Sequence, residues 1–305
     1  MRNIFSQTLF DAANADPRVY VVVADISPAG PMAEFTNKYP ERFINVGVAE
    51  QSMIGICAGL ALKGCRPFAY TIATFTLYRP FEMVRDDLCY QNLPVTVVGM
   101  GSGVIYSTLG GTHHTQEDVS ICNALPNMQI IAPCDPSETK ESTFWCALKN
   151  NNGPVYLKLG KAGEPDLTKD AVDPWQFGKL RYITKGSDTC ILSYGVIMKQ
   201  AMEVSDALAA KGQSVSLVSC HTLKPLDYEG IAKLLMDHKR VIVIEENAPS
   251  GGLVSMVKQI AWDNAAKCNL HAFGLKDEFI HNYGSHEDLL NSHGIGVSRI
   301  LAAVG

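Results

Sequence analysis

The chain has 305 residues and a net charge of −5, and 47% of its residues are hydrophobic and 19% charged. At ~150 residues per domain, this length indicates about two domains, each able to bury an ordinary core. The slight acidity, without any Lys/Arg block or basic amphipathic stretch, argues against a nucleic acid or a membrane surface as the partner.

Nine cysteines are scattered along the chain, and no pair has CxxC spacing. This pattern predicts reduced thiols in a cytoplasmic protein, with neither a disulfide framework nor a zinc site. The first residues, MRNIFSQTLFDAA, are amphipathic and lack the apolar core of a signal peptide. No apolar run reaches the ~18 residues that a bilayer span requires. We therefore expect a soluble, cytoplasmic protein without a metal site of its own.

The predicted elements alternate between short apolar strands and helical patterns. The first half begins with a helix and continues with strands at 19–27, 42–46, 66–72, 94–100, 127–133 and 153–159, and with helices at 50–62, 79–90 and 137–149. Continuous β-branched runs separated by helices indicate a mainly parallel sheet that is covered on both faces.

A polar segment at 160–178, rich in Gly, Pro and Asp, interrupts this pattern, which then restarts. The second half has predicted strands at 188–194, 214–220, 240–246 and about 269–275, and helices at 196–211, 228–237, 251–266 and 286–304. The sequence therefore predicts two consecutive α/β domains with mainly parallel sheets, at 1–165 and 181–305, joined by a linker at 166–180.

Ligands of an open α/β sheet bind outside the carboxyl ends of its strands, so residues that directly follow strands are the functional candidates. Glu50 opens a helix after the 42–46 strand, where the helix dipole favours a carboxylate by ~0.3–1 kcal/mol. Taken alone, Glu50 is more simply explained as a helix cap. Gly55, Gly59, Ala58 and Ala61 give this helix a small-residue face, which is typical of core packing or of a tight subunit interface.

Two further groups of candidates follow the next strands. Aromatic residues recur at every third position from Phe75 to Phe81; such a series usually belongs to a core, but here a flat heterocycle could stack on it. Paired histidines in the Gly-rich segment GGTHH indicate proton transfer or anion binding, with a solvated loop as the simpler alternative. Lys158 and Lys161 follow the last strand of the first domain, where they either contact a phosphate or are merely solvated.

These segments, in this order, resemble the transketolase family over essentially the whole chain. The most specific of them is INVGVAEQSMIGICAGLAL, and TFTLYRPFEMVRDD, GTHHTQEDVSICNALPNMQIIAPCDP and VIVIEENAPSGGLVS support it. The resemblance implies a pyrimidine-binding domain of the thiamine diphosphate fold, followed by a transketolase C-terminal domain. It also implies the transfer of a two-carbon ketol unit from a ketose donor to an aldose acceptor.

The resemblance assigns catalytic roles to two residues. Glu50 matches the glutamate that shares a proton with N1′ of the thiamine aminopyrimidine, and His113 matches the histidine that faces the reacting centre. The cofactor supplies the electron sink, while the protein supplies placement and proton management. Cofactor contacts are implied for Glu50, Phe75, Tyr78, Phe81 and Asp25.

The implied substrate contacts depart from the family pattern. The family usually has DGPTH, whereas this chain has LGGTH, so Leu109 stands where an aspartate would contact a substrate hydroxyl. Lys161 stands for the arginine that grips the substrate phosphate, and His113 and His114 complete the implied substrate-binding set. Because an apolar side chain cannot replace a hydroxyl-binding carboxylate, we expect a modified sugar, such as a deoxy-, branched or nucleotide-linked one, rather than ordinary pentose phosphates.

A second departure concerns the cofactor phosphates. The family holds the diphosphate through Mg²⁺ bound by a GDG motif, and GDG does not occur in this chain. Because the diphosphate is strongly negative and needs such a clamp, the resemblance implies an N-terminal, diphosphate-binding partner subunit that carries the Mg²⁺, in an α₂β₂ heterotetramer. His221, Glu245 and Glu246 follow strands of the second domain, and we expect them to be structural in a domain that serves assembly.

Other functions are compatible with the same pattern. The β subunit of a 2-oxo acid dehydrogenase E1 component shares the layout, the glutamate and the missing clamp, but its histidine segment fits less closely. 1-Deoxyxylulose-5-phosphate synthase is usually one long chain. A non-catalytic scaffold subunit is the alternative from another class, and the retention of Glu50 and of the aromatic series argues against it.

Overall fold

The structure is a computed structural model that describes residues 1–26 and 30–305. Its strands are β1 (Val19–Val23), β2 (Phe43–Asn45), β3 (Arg66–Ile72), β4 (Thr96–Met100), β5 (Gln129–Ile131), β6 (Val155–Leu159), β7 (Arg181–Thr184), β8 (Thr189–Ser193), β9 (Val215–Ser219), β10 (Thr222–Lys224), β11 (Arg240–Ile244) and β12 (Asn269–Phe273). Its α-helices are α1 (Arg2–Ala15), α2 (Pro31–Lys38), α3 (Glu50–Leu62), α4 (Ala73–Leu77), α5 (Phe81–Met83), α6 (Asp118–Ala124), α7 (Pro136–Phe144), α8 (Met198–Ala210), α9 (Tyr228–Asp237), α10 (Leu253–Asp263), α11 (His286–Ser292) and α12 (Val297–Val304). π-Helical turns at Val84–Tyr90 and Trp145–Lys149 continue α5 and α7.

The strands form two sheets. The first has the order β10-β5-β6-β4-β3-β1-β2 and the second the order β12-β11-β8-β9-β7. All neighbouring strands are parallel except β10 with β5 and β7 with β9. The central strands β4, β6, β8 and β9 are buried along their whole length, as expected for parallel strands covered by helices on both faces. The predicted fold class, two α/β units with mainly parallel sheets, is confirmed.

The core of the first sheet is divided between its two faces because successive strand side chains alternate. Val21 and Val23 of β1 pack in one cluster with Phe5 and Leu9 of α1. Val22 points to the other face, into a cluster that includes residues of α3 and continues into the second sheet through β8, β9 and β11. The two sheets are therefore joined by a continuous apolar core.

Strand β10 also joins the two halves of the chain. It lies beyond the linker in sequence, yet it pairs antiparallel with β5 of the first sheet, with Thr222 opposite Ile131. The first sheet is thus completed by residues from the second half of the chain.

A buried carboxylate cluster fixes the linker. Asp135 accepts the backbone N–H of Thr168 at 2.6 Å. Glu138 accepts the backbone N–H of Cys134 at 3.0 Å and pairs with Arg181 at 3.4 Å. The Cys134 thiol and both carboxylates lie within 4.8 Å of one another, a grouping that metal sites share. Because these carboxylates already accept protein donors, we assign the cluster a structural role.

Several elements differ from the prediction. Strand β1 ends at Val23, whereas the predicted strand ran to Ser27, which lies outside the described residues. The helix predicted at 286–304 is divided into α11 and α12, because Gly294 between them adopts a φ of +79°. No helix in the described part of the chain is long and apolar enough to cross a membrane.

Candidate active site

The candidate residues lie at the carboxyl edge of the first sheet. Asp25 follows β1, and Glu50 follows β2. The three aromatic residues Phe75, Tyr78 and Phe81 come after β3. The segment after β4 carries Leu109, His113 and His114, and Lys161 comes after β6. Strands β6, β4, β3, β1 and β2 are consecutive neighbours and all parallel, so the segments after them meet at one edge.

Glu50 is the first residue of α3 and only 3% exposed. Its Oε1 accepts a hydrogen bond from Arg79 Nη1 at 2.7 Å. Its Oε2 is buried and has no hydrogen-bond partner among residues 1–26 and 30–305. Leaving a buried polar atom unpaired costs ~1–3 kcal/mol, and more for a charged group. The Oε2 atom is therefore able to accept a hydrogen bond from a donor of another molecule.

The small residues of α3 divide into two groups, because Ala58 and Ala61 are buried in the main apolar cluster and the glycines are not. Gly55 and Gly59 are exposed, and a Cβ atom added to either would meet nothing within 4 Å in the described part of the chain. Val48 and Leu62, at the two ends of this region, are 71% and 63% exposed. Core packing therefore applies to Ala58 and Ala61, whereas Gly55 and Gly59 leave an open surface within the described part of the chain.

Phe75 connects Glu50 to the histidine segment. The Arg79 guanidinium that binds Glu50 lies over the Phe75 ring, 4.7 Å from its centroid. The His113 ring meets Phe75 edge-on, with centroids 5.3 Å apart. Glu50, Arg79, Phe75 and His113 thus form one contiguous surface at the sheet edge, with Phe75 and His113 only partly buried.

Tyr78 and Phe81 have different surroundings. The Tyr78 hydroxyl donates a hydrogen bond to Glu117 at 2.8 Å, and burial, together with the nearby carboxylates Asp118 and Glu117, raises the pKa of Tyr78 well above its usual range. Phe81 is partly buried against the main apolar cluster. Of the three aromatic side chains, only Phe75 contacts both Arg79 and His113 through its ring within the described residues.

Tyr106 extends the site towards Lys161. Its ring centroid lies 6.2 Å from that of His113 on one side, and 5.3 Å from Lys161 Nζ on the other. Leu109 lies in the same loop and is 49% exposed, so it presents an apolar surface where a carboxylate would stand in the resembled family. Lys161 is exposed, and no carboxylate of the described residues lies within 4.0 Å of its Nζ.

His114 and Lys158 are buried, unlike their neighbours His113 and Lys161. His114 is 3% exposed, and burial lowers the pKa of its imidazole, which favours the neutral form of the ring. Lys158 Nζ donates to both oxygens of the buried Asp118, at 2.9 and 2.7 Å. Both interpretations of Lys158, phosphate contact and a solvated side chain, are therefore wrong, because a buried ion pair occupies its ammonium group.

Asp25 lies at the end of β1 and is exposed, with a φ of +44°. Its backbone N–H donates to Asn45 Oδ1 at 3.2 Å, and the same oxygen accepts the N–H of Gly47 at 3.0 Å. Asn45 therefore ties the turn after β1 to the turn that leads into α3. Asp25 is on the same sheet edge as Glu50, but separate from the Phe75–His113 contact.

Glu246, from the second half of the chain, supports the loop that carries the histidines. It is 2% exposed and accepts the backbone N–H of Val104 and a hydrogen bond from His286 Nε2, the latter at 3.0 Å. Burial alone would raise the pKa of Glu246, but His286 and the Val104 N–H lower it below its ordinary value. Gly103 is required beside it, because a Cβ there would lie 2.4 Å from Glu246 Oε1.

Two residues of this site, Arg79 and Tyr106, are not singled out by the sequence, and the sequence assigns Glu246 a structural role without relating it to this loop. Arg79 directly follows Tyr78, and a basic residue within an aromatic segment at a strand end is the signal that identifies it. Tyr106 lies in the GSGVIYST loop, whose composition gives no comparable signal. Glu246 is distant in sequence, so only the packing of the two sheets reveals its contact with the loop.

Two family models match the chain. The one described as "Transketolase, pyrimidine binding domain" matches residues 1–163. The one described as "Transketolase, C-terminal domain" matches residues 178–300. Together they account for both sheets.

Individual proteins are similar over nearly the whole chain. An apulose-4-phosphate transketolase subunit of Actinobacillus succinogenes is 30% identical over 303 residues, which cover 99% of this chain and 96% of that protein. The 6-deoxy-6-sulfo-D-fructose transketolase subunit SqwH of Clostridium sp. strain MSTE9 is 31% identical over 280 residues, with 92% and 85% covered. A solved structure described as a split gene transketolase, inactive beta4 tetramer, has a TM-score of 0.89 at 30% identity and covers 99% of this chain and 96% of its own.

Proposed function

This chain belongs to the transketolase family, as one subunit of a split, two-chain enzyme, and we propose that it forms the aminopyrimidine side of a thiamine diphosphate site shared with its partner. In this proposal the partner subunit holds the diphosphate through Mg²⁺, and the active site lies between the two chains. The reaction is the transfer of a two-carbon ketol unit from a ketose donor to an aldose acceptor.

The unpaired Oε2 of Glu50 carries this proposal. A buried carboxylate oxygen without a donor in the described part of the chain fits a ring nitrogen that shares a proton, as N1′ of the aminopyrimidine does. Thiamine diphosphate, when bound, supplies the electron sink that allows the carbon–carbon bond beside a ketose carbonyl to break. Glu50 moves or holds the proton at Oε2, while Arg79 binds Oε1 and fixes the orientation of the carboxylate.

The neighbouring side chains provide the walls of the site. Phe75, Tyr78 and Phe81, which all follow β3, provide aromatic side chains for a flat heterocycle, and Asp25 lies at the same sheet edge. His113 is partly exposed beside Phe75, so its imidazole can exchange protons with a substrate bound next to the cofactor. His114, the next residue in the chain, is buried.

We further propose that the substrate is a modified sugar rather than a common pentose phosphate. Leu109 removes the carboxylate that would bind a substrate hydroxyl, and its exposed side chain suits an apolar or branched position of the sugar. Lys161 has no carboxylate partner among the described residues and can bind an anionic substituent. The relatives named for apulose 4-phosphate and for 6-deoxy-6-sulfofructose act on sugars of this unusual kind.

The partner is proposed to cover the open face of α3. The exposed Gly55, Gly59 and Leu62 allow a second chain to approach α3 closely, next to Glu50. Together with the missing GDG motif, this supports an α₂β₂ heterotetramer. The similar β-subunit structure is described as an inactive tetramer, which agrees with a chain that needs a second subunit for activity. The free cysteines support a cytoplasmic location.

Reconstitution tests this proposal. The chain is combined with a GDG-bearing partner subunit, thiamine diphosphate and Mg²⁺, and two-carbon transfer is assayed across ketose donors. We expect transfer by the mixture and none by either chain alone. Release of CO₂ from a 2-oxo acid would instead indicate the E1-type reaction. A clear preference for xylulose 5-phosphate with ribose 5-phosphate would reject the modified sugar, and activity of this chain alone would reject the shared site.

A further inference from the structure

Strand β12 forms one end of the second sheet, and no further strand covers its outer edge in the described part of the chain. The Asn269 N–H and the Phe273 C=O form hydrogen bonds with the residues that flank β11, its inner neighbour. Because successive residues of a strand direct their backbone groups to opposite edges, Leu270 and Ala272 direct theirs outward. The N–H and C=O groups of these two residues are therefore available to another chain.

The other three sheet edges of the described residues are protected. Strands β2 and β10 have only three residues each. Strand β7 has an irregular register, and the linker covers it, since the Asp173 N–H donates to the Tyr182 carbonyl at 3.1 Å. Strand β12, by contrast, has five residues in a continuous register and contains neither Lys nor Pro. An edge of this kind is a template for one more strand.

An apolar groove of about 590 Å³ lies beside this edge. Trp262 of α10 lies in its wall and is 83% exposed. The other apolar residues of the wall are mostly small: Ala261, Ala265, Ala266, Cys268 and Leu270. A protruding aromatic side chain next to a groove of small residues suits a twofold axis, under which each Trp262 packs into the groove of the other copy.

The charges at the two ends of β12 favour an antiparallel second copy. Lys267 precedes the strand and Asp277 follows it, and neither forms an ion pair within the described residues. The charges next to Asp277 cancel, because Lys276 and Glu278 pair with each other at 3.4 Å. An antiparallel pair of strands places the basic end of one copy beside the acidic end of the other, whereas a parallel pair would place like charges together.

The outward backbone groups fit the same arrangement. With a twofold axis at His271, the centre of the strand, Leu270 of one copy lies opposite Ala272 of the other. Residues that face each other in this way exchange both an N–H and a C=O in an antiparallel ladder. Because the axis repeats the exchange, every outward polar group of these two residues receives a partner.

We propose that β12 pairs antiparallel with β12 of a second copy of this chain, so that the two second sheets become one continuous sheet with Trp262 in the contact. The inference goes beyond the proposed function, because it concerns two copies of this chain and does not depend on the chemistry at Glu50. Strand β12 belongs to the second sheet and α3 to the first. One copy can therefore contact the partner subunit and a second copy at once, as an α₂β₂ assembly requires.

Sedimentation equilibrium of the full chain tests this contact. We expect a dimer, and Trp262→Lys should raise its dissociation constant roughly 30-fold, the effect of one central aromatic side chain of an interface. Leu62→Lys is the matched control, because Leu62 is also an exposed apolar residue on a helix but belongs to α3. It should leave the dimer unchanged and weaken binding of the partner subunit instead.

Two results would overturn the proposal. One is a wild-type chain that stays monomeric at about 100 µM, a concentration at which even a weak specific dimer forms. The other is a dimer that Leu62→Lys dissociates and Trp262→Lys leaves intact. A dimer that responds as expected, in an enzyme that transfers no two-carbon unit with its partner, keeps the β12 contact and rejects the proposed function.

A backbone substitution isolates the strand pairing. Ala272→Pro removes an outward N–H but none of the bonds to β11, and an edge strand tolerates proline at such a position. We expect the dimer to weaken roughly tenfold, because the twofold axis doubles the loss of one hydrogen bond. Ala272→Thr, which keeps the N–H and suits a strand, should dimerise like the wild type. Equal dissociation constants for both variants would exclude pairing through β12.

Amide hydrogen exchange identifies the occupant of the edge. The amides of Leu270 and Ala272 should be protected in the wild-type dimer and should exchange faster in Trp262→Lys. Protection that appears only when the partner subunit is added would overturn the second copy as the occupant. Fast exchange of both amides in the dimer would place the contact elsewhere and overturn the proposal as well.

Discussion

Glu50 and Glu245 are buried carboxylates of the first and the second sheet, and their surroundings are opposite. Each is a buried carboxylate that follows a strand and lies at the N-terminus of a helix, α3 for Glu50 and α10 for Glu245. Glu245 accepts the backbone N–H groups of Leu253 at 2.7 Å and Val254 at 3.0 Å, and the Tyr194 hydroxyl at 3.1 Å. Within the described residues, Glu50 has Arg79 on one oxygen and nothing on the other.

This difference agrees with the roles proposed for the two residues, a structural one for Glu245 and a ligand-binding one for Glu50. The second sheet satisfies Glu245 with its own helix, so no ligand is needed there. The first sheet leaves half of the Glu50 carboxylate unpaired in a buried position, a cost that a bound molecule would offset. The two domains thus share a local motif, a strand followed by an acidic residue and a helix. In the second domain both carboxylate oxygens have hydrogen-bond partners (a closed carboxylate), whereas in the first domain one oxygen has none within the described residues (an open carboxylate).

The largest expected effect follows from substitution of the open carboxylate. Glu50→Gln should lower kcat of the reconstituted enzyme by about 10²–10⁴, because an amide cannot exchange the proton that a general acid–base group exchanges. The amide oxygen of this variant still accepts the Arg79 hydrogen bond, so the melting temperature should change little. Steady-state kinetics and exchange of the thiazolium C2 proton, followed by NMR, measure the effect. Activity close to that of the wild type would remove Glu50 from the mechanism.

The closed carboxylate should instead control stability. Burial raises the pKa of Glu245 to about 7, so its folded pKa lies above the unfolded value of 4.5. The stability it contributes is then present below pH 4.5 and is lost as the pH rises towards 7, by roughly 3 kcal/mol. Gln cannot titrate, so the stability difference between wild type and Glu245→Gln should shrink over this range. Parallel curves of unfolding free energy against pH would contradict this assignment.

Glu246 is a third buried carboxylate: its Oε1 accepts hydrogen bonds from the Val104 N–H and His286, its Oε2 has no partner within the described residues, and it supports the loop of the candidate site. Glu246→Ala leaves the Val104 N–H and His286 without their acceptor, and the loop that carries His113 should relax. We expect kcat/KM to fall about tenfold, the cost of one buried charged hydrogen bond. Glu246→Gln should restore part of it, because the amide oxygen can still accept from Val104. The exposed Glu229→Gln serves as the control, and equal kinetics for Glu246→Ala and wild type would dismiss the positioning role.

The sequence predicts the fold well where the signal is local. Runs such as VYVVV and TVVGM form central strands because β-branched residues suit a sheet buried on both faces. β7 and β10 are missed because each is a short strand of four or three residues whose pairing partner is distant in the chain. The break between α11 and α12 depends on a single glycine conformation that periodicity does not reveal.

The same division applies to the site. Sequence position is enough to bring Glu50, Phe75 and His113 to one sheet edge, because parallel strands share their carboxyl ends. It is not enough to separate His113 from His114, or Lys161 from Lys158. The two members of each pair are of the same type and close in sequence, and they differ in the direction in which the backbone points the side chain. That direction depends on packing, against Asp118 and the loop, and packing cannot be read from residue spacing.

The pairing of β10 with β5 has a consequence for any attempt to divide this protein. A fragment that ends within the linker would lose the three residues Thr222–Lys224 and leave the outer backbone of β5 bare. Bare strand edges are templates for aggregation. Because the apolar cluster also runs through both sheets, the two halves should melt in one cooperative transition rather than as separable modules.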